Sequence, residues 1–148
     1  MMTPTPTALI LHDQPHVLRT LDYLVRSTGQ LSVLPVGSVR QACEQMAGGL
    51  TALVVMDACR MPPDQAAQNC RELRSAWQVQ QSQAGGRGER KRLGQIWFIT
   101  SRASSIDLEE ARDLGADRIL TMPFDPDLVQ HLVWEVGQQW GGQLAKAG

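Results

Sequence analysis

No apolar run in this chain is long enough to cross a membrane. A spanning helix takes about 18 or more consecutive apolar residues, and the apolar stretches here are strand-length. The N-terminus lacks a basic region followed by an apolar segment, so no secretory leader is expected. Residues 1–7 read as a flexible Thr/Pro-rich tail, and the expected location is the cytoplasm. An excess of charge is missing too. The formal net charge is −1, so no bulk field draws the chain to nucleic acid or to an anionic membrane. Cysteine is scarce: Cys43, Cys59 and Cys70 are odd in number and show no C-x-x-C spacing. That argues against structural zinc and for reduced, buried thiols. Neither a Gly-rich phosphate loop nor a nucleophile–base pair is present, so an enzyme is not expected.

What remains is a globular composition. The chain has 148 residues, 43% hydrophobic and 20% charged, which fits one domain with one sizeable core. Short apolar runs alternate with helical periodicities. Strands are expected at about Ala8–Leu11, Leu31–Val36, Ala52–Met56, Ile96–Thr100 and Arg118–Thr121. A first helix follows Pro15, with Val17, Leu18, Leu21, Leu24 and Val25 on one face, and stops near Gly29. Ser38 caps a second, with Val39, Ala42, Cys43 and Met46 inward, ended by Gly48 and Gly49. A third starts near Asp64 and buries Ala66, Cys70, Leu73 and Trp77. A fourth covers about Ile106–Leu114, stopped by Gly115. The fifth runs from Pro126 to about Trp140, with Leu128, Leu132, Val136 and Trp140 at four-residue spacing. The domain then covers 8–140, followed by a short tail at 141–148.

Five β-α units with near-continuous apolar strands imply a parallel sheet covered on both faces. Right-handed crossovers favour a doubly wound, flavodoxin-like α/β sheet of order 2-1-3-4-5. The chain reverses direction between the first and third strands, and ligand chemistry in such sheets sits at that crevice. Asp57 ends the run Ala52-Leu53-Val54-Val55-Met56, and Asp13 ends Leu9-Ile10-Leu11-His12. The two acids therefore flank the expected crevice.

These motifs resemble those of the receiver domains of two-component response regulators, over about Ala8 to Trp140. The resemblance rests on Leu11-His12-Asp13-Gln14-Pro15, Val54-Val55-Met56-Asp57, Met61-Pro62 with Asp64, and Phe98-Ile99-Thr100-Ser101. Leu114-Gly115-Ala116-Asp117 and Leu120-Thr121-Met122-Pro123-Phe124 add to it. It implies phosphoryl transfer from a histidine kinase to Asp57, with Thr100 touching the phosphoryl group. It also implies Mg²⁺ held by Asp57, by an acidic pair after the first strand, and by a backbone carbonyl that falls on Cys59.

The departures from that pattern are chemical. His12 stands where one of the paired acids is usual, so Asp13 is left as the remaining acid. Met122 replaces the lysine before proline, and Ile119 replaces the aromatic switch residue. Mg²⁺ wants oxygen ligands, and an imidazole suits it poorly. Losing the lysine removes a charge-assisted hydrogen bond, worth about 1.5–3 kcal/mol. Phosphoryl transfer depends on positioning and charge stabilisation, so both losses strike the reaction itself. The formal charge of the metal-free pocket is nonetheless preserved: two acids and no cation replace three acids and one lysine. Asp57 can be a phosphoacceptor or a vestigial acid bonded to neighbouring amides. His12 with Asp13, Asp57 and Cys59 leaves a transition-metal or redox sensor as a distant alternative.

Two surfaces complete the picture. The stretch 78–94 is polar and Gly-rich and is expected to be a mobile loop. Its Arg87, Arg90, Lys91 and Arg92 lack interleaved aromatics for base stacking, so nucleic acid is not an expected partner. The resemblance implies a partner face built from the fourth helix, fifth strand and fifth helix. That face would carry Arg112, Arg118, Asp127, Gln130, His131 and Trp134, for a sensor kinase, a downstream regulator or a second copy. The expectation is a stand-alone, atypical receiver-like protein that acts by binding partners. Aspartyl phosphorylation would be weakened or lost, no cofactor required, and Mg²⁺ weak at best. A working single-domain regulator phosphorylated on Asp57 is the alternative.

Overall fold

The computed structural model describes the backbone of residues 5–83, 94–101 and 106–147, with side chains described to 79 in the first of these segments and to 140 in the last. Strands and helices alternate: β1 (Thr7–Leu11), α1 (Pro15–Arg26), β2 (Ser32–Val36), α2 (Val39–Gly48), β3 (Thr51–Asp57), α3 (Pro63–Gln83), β4 (Gln95–Ser101), α4 (Leu108–Leu114), β5 (Arg118–Met122) and α5 (Pro126–Ala147). The sheet is parallel, in the order β2-β1-β3-β4-β5. This is the expected doubly wound topology.

The strands are apolar on both faces because both faces are covered. Successive side chains point to opposite sides. Leu53, Val55, Trp97 and Ile99 pack with α1 and α5. Val54, Met56, Ile96 and Phe98 pack with α2, α3 and α4. The expected inner residues of α3 are all buried: Ala66, Cys70, Leu73 and Trp77. The Trp77 indole N–H donates to the Thr51 carbonyl at 2.7 Å, so its polar edge is satisfied inside the core. A Cβ on Gly94 would lie 2.0 Å from the Trp77 ring, which is why the chain enters β4 through glycine. Pro35 lies within β2, opposite Ile10 of β1, on an outer strand of the sheet.

Local chemistry sets the helix ends. The Ser38 hydroxyl accepts the Gln41 N–H at 3.1 Å, as expected of a cap. Asp107 does the same for Glu110 at 2.8 Å, so α4 begins at Leu108 rather than at Ile106. Gly115 closes α4 with φ +113, a left-handed conformation that glycine adopts freely.

Four expectations need correction. Thr7, placed in the tail, belongs to β1, and its N–H donates to the Leu50 carbonyl at 2.8 Å. Gln78–Gln83, placed in the polar loop, continues α3. Nothing in that stretch breaks a helix, and the first glycines come at 85 and 86. Residues 84–93 of that loop, with Arg87, Arg90, Lys91 and Arg92, lie outside the described residues. Residues 141–147, read as a tail, continue the backbone of α5. Finally, Leu128 is 50% exposed, and the buried stripe of α5 is Val129, Leu132, Val133, Val136 and Trp140. A step of four residues overshoots one helical turn by about 40°. Leu128 and Trp140 therefore cannot share one narrow face.

Candidate functional site

The register of β1 and β3 brings the site together. Leu11 pairs with Met56, so His12 and Asp57 leave the sheet side by side at its carboxyl edge. The His12 imidazole lies between two carboxylates. Its Nδ1 is 3.7 Å from Asp13 Oδ1, and its Nε2 is 3.6 Å from Asp57 Oδ2. The His12 side chain is 2% exposed, against 85% for Asp13 and 27% for Asp57. The histidine thus forms the floor, and Asp13 reaches into solvent.

Hydrogen bonds fix the ring. The Gln14 backbone N–H donates to His12 Nδ1 at 3.0 Å. A ring nitrogen that accepts carries no proton, so the neutral imidazole bears its proton on Nε2. That N–H is aimed at Asp57 across a gap too long for a hydrogen bond. Among the described residues, His12 Nε2 is the buried side-chain nitrogen or oxygen without a hydrogen-bond partner. The other oxygen of Asp57 accepts the Cys59 backbone N–H at 2.9 Å. The loop therefore bonds back to the carboxylate.

A cleft of about 330 Å³ opens above these groups. Cys59 and Met122 line it with the two acids and His12, as do three residues without an expected role, Gln14, Arg60 and Ser101. A cation three residues beyond the strand-end acid was a readable signal for Arg60. Ser101 required knowing which way β4 turns at its end. Thr100 is buried. Its hydroxyl lies 3.4 Å from that of Thr121 on β5, and Thr100 is not among the residues lining the cleft. Ile119 packs on the α2–α4 side of the sheet, away from the opening. The Met122–Pro123 peptide is cis.

The thiols are held protonated. Burial raises the Cys59 pKa most, and the hydrogen bond and charge of Asp57 raise it further, while Ser101 and Arg60 pull the other way. Its Sγ donates to the Ile99 carbonyl at 3.6 Å. Burial pushes Cys70 up to about 11 and also raises Cys43. A thiol kept from ionising is a poor nucleophile and a poor ligand, so the redox reading of Cys59 loses support.

The donor set speaks to the metal. Ligand atoms of His12, Asp13 and Asp57 lie within 4.8 Å of one another. Mg²⁺ demands oxygens in near-octahedral array. Here an imidazole stands where a carboxylate would be needed, with its N–H pointing into the same space. The residues present fit Mg²⁺ poorly.

Some residues expected on a partner face share contacts on β5 and α5. Arg118 of β5 approaches Glu135 of α5 at 3.8 Å, and His131 Nε2 lies 3.0 Å from the same carboxylate. Glu135 was not among the expected residues. Trp134 is 48% exposed, and Arg112 and Asp127 are exposed. Gln130 is partly taken up within the fold, since its amide donates to the Ser27 hydroxyl at 2.7 Å.

No protein-family model and no curated protein matches the chain. Solved structures do. A pilus assembly-related protein from Burkholderia pseudomallei is 18% identical, with a TM-score of 0.66 and 94% of each chain covered. The receiver domain of a sensor histidine kinase from Pseudomonas aeruginosa, with a magnesium ion in its active-site cleft, is 24% identical. Its TM-score is 0.62, covering 94% of this chain and 99% of that one. The receiver domain of a Saccharomyces cerevisiae response regulator, solved with a histidine phosphotransfer protein, is 19% identical. Its TM-score is 0.67, with 94% of each chain covered. The fold is that of receiver domains. Among the described residues, no helix is long and apolar enough to cross a membrane.

Proposed function

We propose that this chain is an atypical receiver that signals through protein–protein contact, with phosphorylation of Asp57 weakened or lost. The observation that carries the reading is the buried His12 imidazole, seated between Asp13 and Asp57 with its N–H toward Asp57. In this reading Asp57 is a structural acid. One oxygen bonds the Cys59 amide and the other faces the imidazole, so the carboxylate organises the β3–α3 loop instead of accepting phosphate. Met122 supplies no charge to a phosphoryl group, and Ile119 cannot relay one as a swinging ring.

The protein would act as a binding module in the cytoplasm, not as an enzyme, and would require no cofactor. Mg²⁺ would bind weakly. Its partners would be proteins of the phosphorelay type, such as a kinase, a phosphotransfer protein or a downstream regulator, or a second copy on the α4–β5–α5 face. The fold shared with a receiver bound to a phosphotransfer protein supports the class of partner.

A second reading has its own support. Asp57 is still partly accessible, and Arg60 and Ser101 line the cleft beside it. These groups supply a cation and a hydroxyl on the side a phosphoryl group would occupy. Incubation with acetyl phosphate, or with beryllofluoride and Mg²⁺, separates the two readings. Intact mass and amide NMR spectra should stay unchanged if phosphorylation is lost. Stoichiometric modification at Asp57 would establish a working regulator.

A further inference from the structure

We propose that His12, Asp57 and Asp13 form a site for a divalent transition ion of the Zn²⁺ or Co²⁺ type, in place of Mg²⁺. The inference rests on the reading that this cleft has lost its Mg²⁺ chemistry.

Three observations converge on it. Ligand atoms of the three side chains lie within 4.8 Å of one another. That is close enough to converge on one ion after small rotations, and Asp13, the most exposed of them, is the freest to swing. The set is one nitrogen and two carboxylates. Imidazole selects for Zn²⁺, Co²⁺ and Ni²⁺, whereas Mg²⁺ takes oxygen. Independently, His12 Nε2 is buried, aimed into the cluster, and lacks a hydrogen-bond partner. Such orphaned polar atoms are rare in native proteins and commonly mark an ion or an ordered water.

Binding must rearrange one proton. An ion at Nε2 takes the lone pair of that nitrogen, so the ring proton moves to Nδ1 and no net proton is released. Water at the exposed rim can accept that proton's hydrogen bond, which leaves Asp13, now 3.7 Å from Nδ1, to turn toward the ion. The Gln14 amide lies at the exposed rim, where water can replace the bond it gives up. Cys59 stays outside the set, because its Sγ is bonded to the Ile99 carbonyl.

The test titrates the full chain, free of any histidine tag, with CoCl₂ and ZnCl₂. Calorimetry and the visible absorption of Co²⁺ provide the readouts, with Mg²⁺ present in large excess. One equivalent should bind per chain and resist displacement by Mg²⁺. His12→Gln should weaken the affinity about tenfold or more, while Cys59→Ser should leave it in place. His12→Asp should shift the preference toward Mg²⁺ and abolish the nitrogen signature in the Co²⁺ spectrum. Should His12→Gln fail to fold, Asp57→Asn carries the same expectation. Absence of saturable binding would mean that only water meets Nε2 and would overturn the proposal, as would undiminished binding in His12→Gln. Failure of both Co²⁺ binding and beryllofluoride capture would remove this inference alone. Beryllofluoride capture with Mg²⁺ would remove the reading beneath it as well.

Discussion

At the scale of single residues, the proposed reading turns on two positions that act together. Against the receiver pattern that the sequence resembles, His12 lacks a negative charge and Met122 a positive one, and both line one cleft with Asp57. Restoring only one leaves the charge set unbalanced. His12→Asp combined with Met122→Lys should therefore raise beryllofluoride affinity by more than the sum of the single changes, because neighbouring groups couple. Binding isotherms for the four proteins check this, and strictly additive effects would contradict it. Cys70 makes a separate prediction. Its thiol is raised from 9.0 to about 11 in the folded state, so the fold prefers the protonated form. A raised pKa contributes stability that is complete below the unfolded value and fades as pH climbs through the folded one. Urea unfolding should thus show stability falling between about pH 9 and 11, with a shallower fall in Cys70→Ala. Both acids and their neighbours were readable from strand-end position alone. The contact between His12 and Asp57 was not, because it depends on how β1 and β3 are registered.

At the scale of elements, caps and close approaches decide the boundaries. Gly115 is required twice over. Its φ is +113, and a Cβ there would lie 2.7 Å from the Cys70 Cβ. Gly115→Ala should lose about 1–2 kcal/mol or more, from the left-handed backbone alone. Urea denaturation with an unchanged m-value would verify the loss. Arg74 holds the same corner. Its guanidinium donates to the carbonyls of Gly94 and Gly115 at 2.9 and 3.1 Å and to Asp117 Oδ2 at 2.8 Å. Asp117 Oδ2 also accepts the Ile96 amide at 2.8 Å. One arginine thereby ties α3 to the start of β4 and to the turn before β5. The four-residue motif ending in Asp117 was visible in the sequence, but its arginine partner, 43 residues away, was not. Helix interiors were legible wherever apolar spacing followed the true turn of 3.6, as in α3. They were misjudged where a spacing of exact fours was extended along α5.

At the scale of the whole molecule, five apolar runs and their turn signals determined the topology, because a parallel sheet buried on both faces leaves little freedom in strand order. What lies on the outside was harder to read, since exposure depends on which side each helix presents. Trp134 is the large aromatic of the α5 outer face. Trp134→Ala should weaken partner binding or self-association by about 2 kcal/mol while changing stability little. Sedimentation and pull-down with a cognate kinase or phosphotransfer protein, beside thermal unfolding, separate the two effects. Unchanged association would move the functional surface elsewhere. The placement of Pro35 bears on how copies can meet at all. A proline has no amide hydrogen to lend an incoming strand, and edges so blunted resist continuation of the ladder. Addition of a further strand at the β2 rim is therefore disfavoured. Pro35→Val should shorten the lag before light scattering rises.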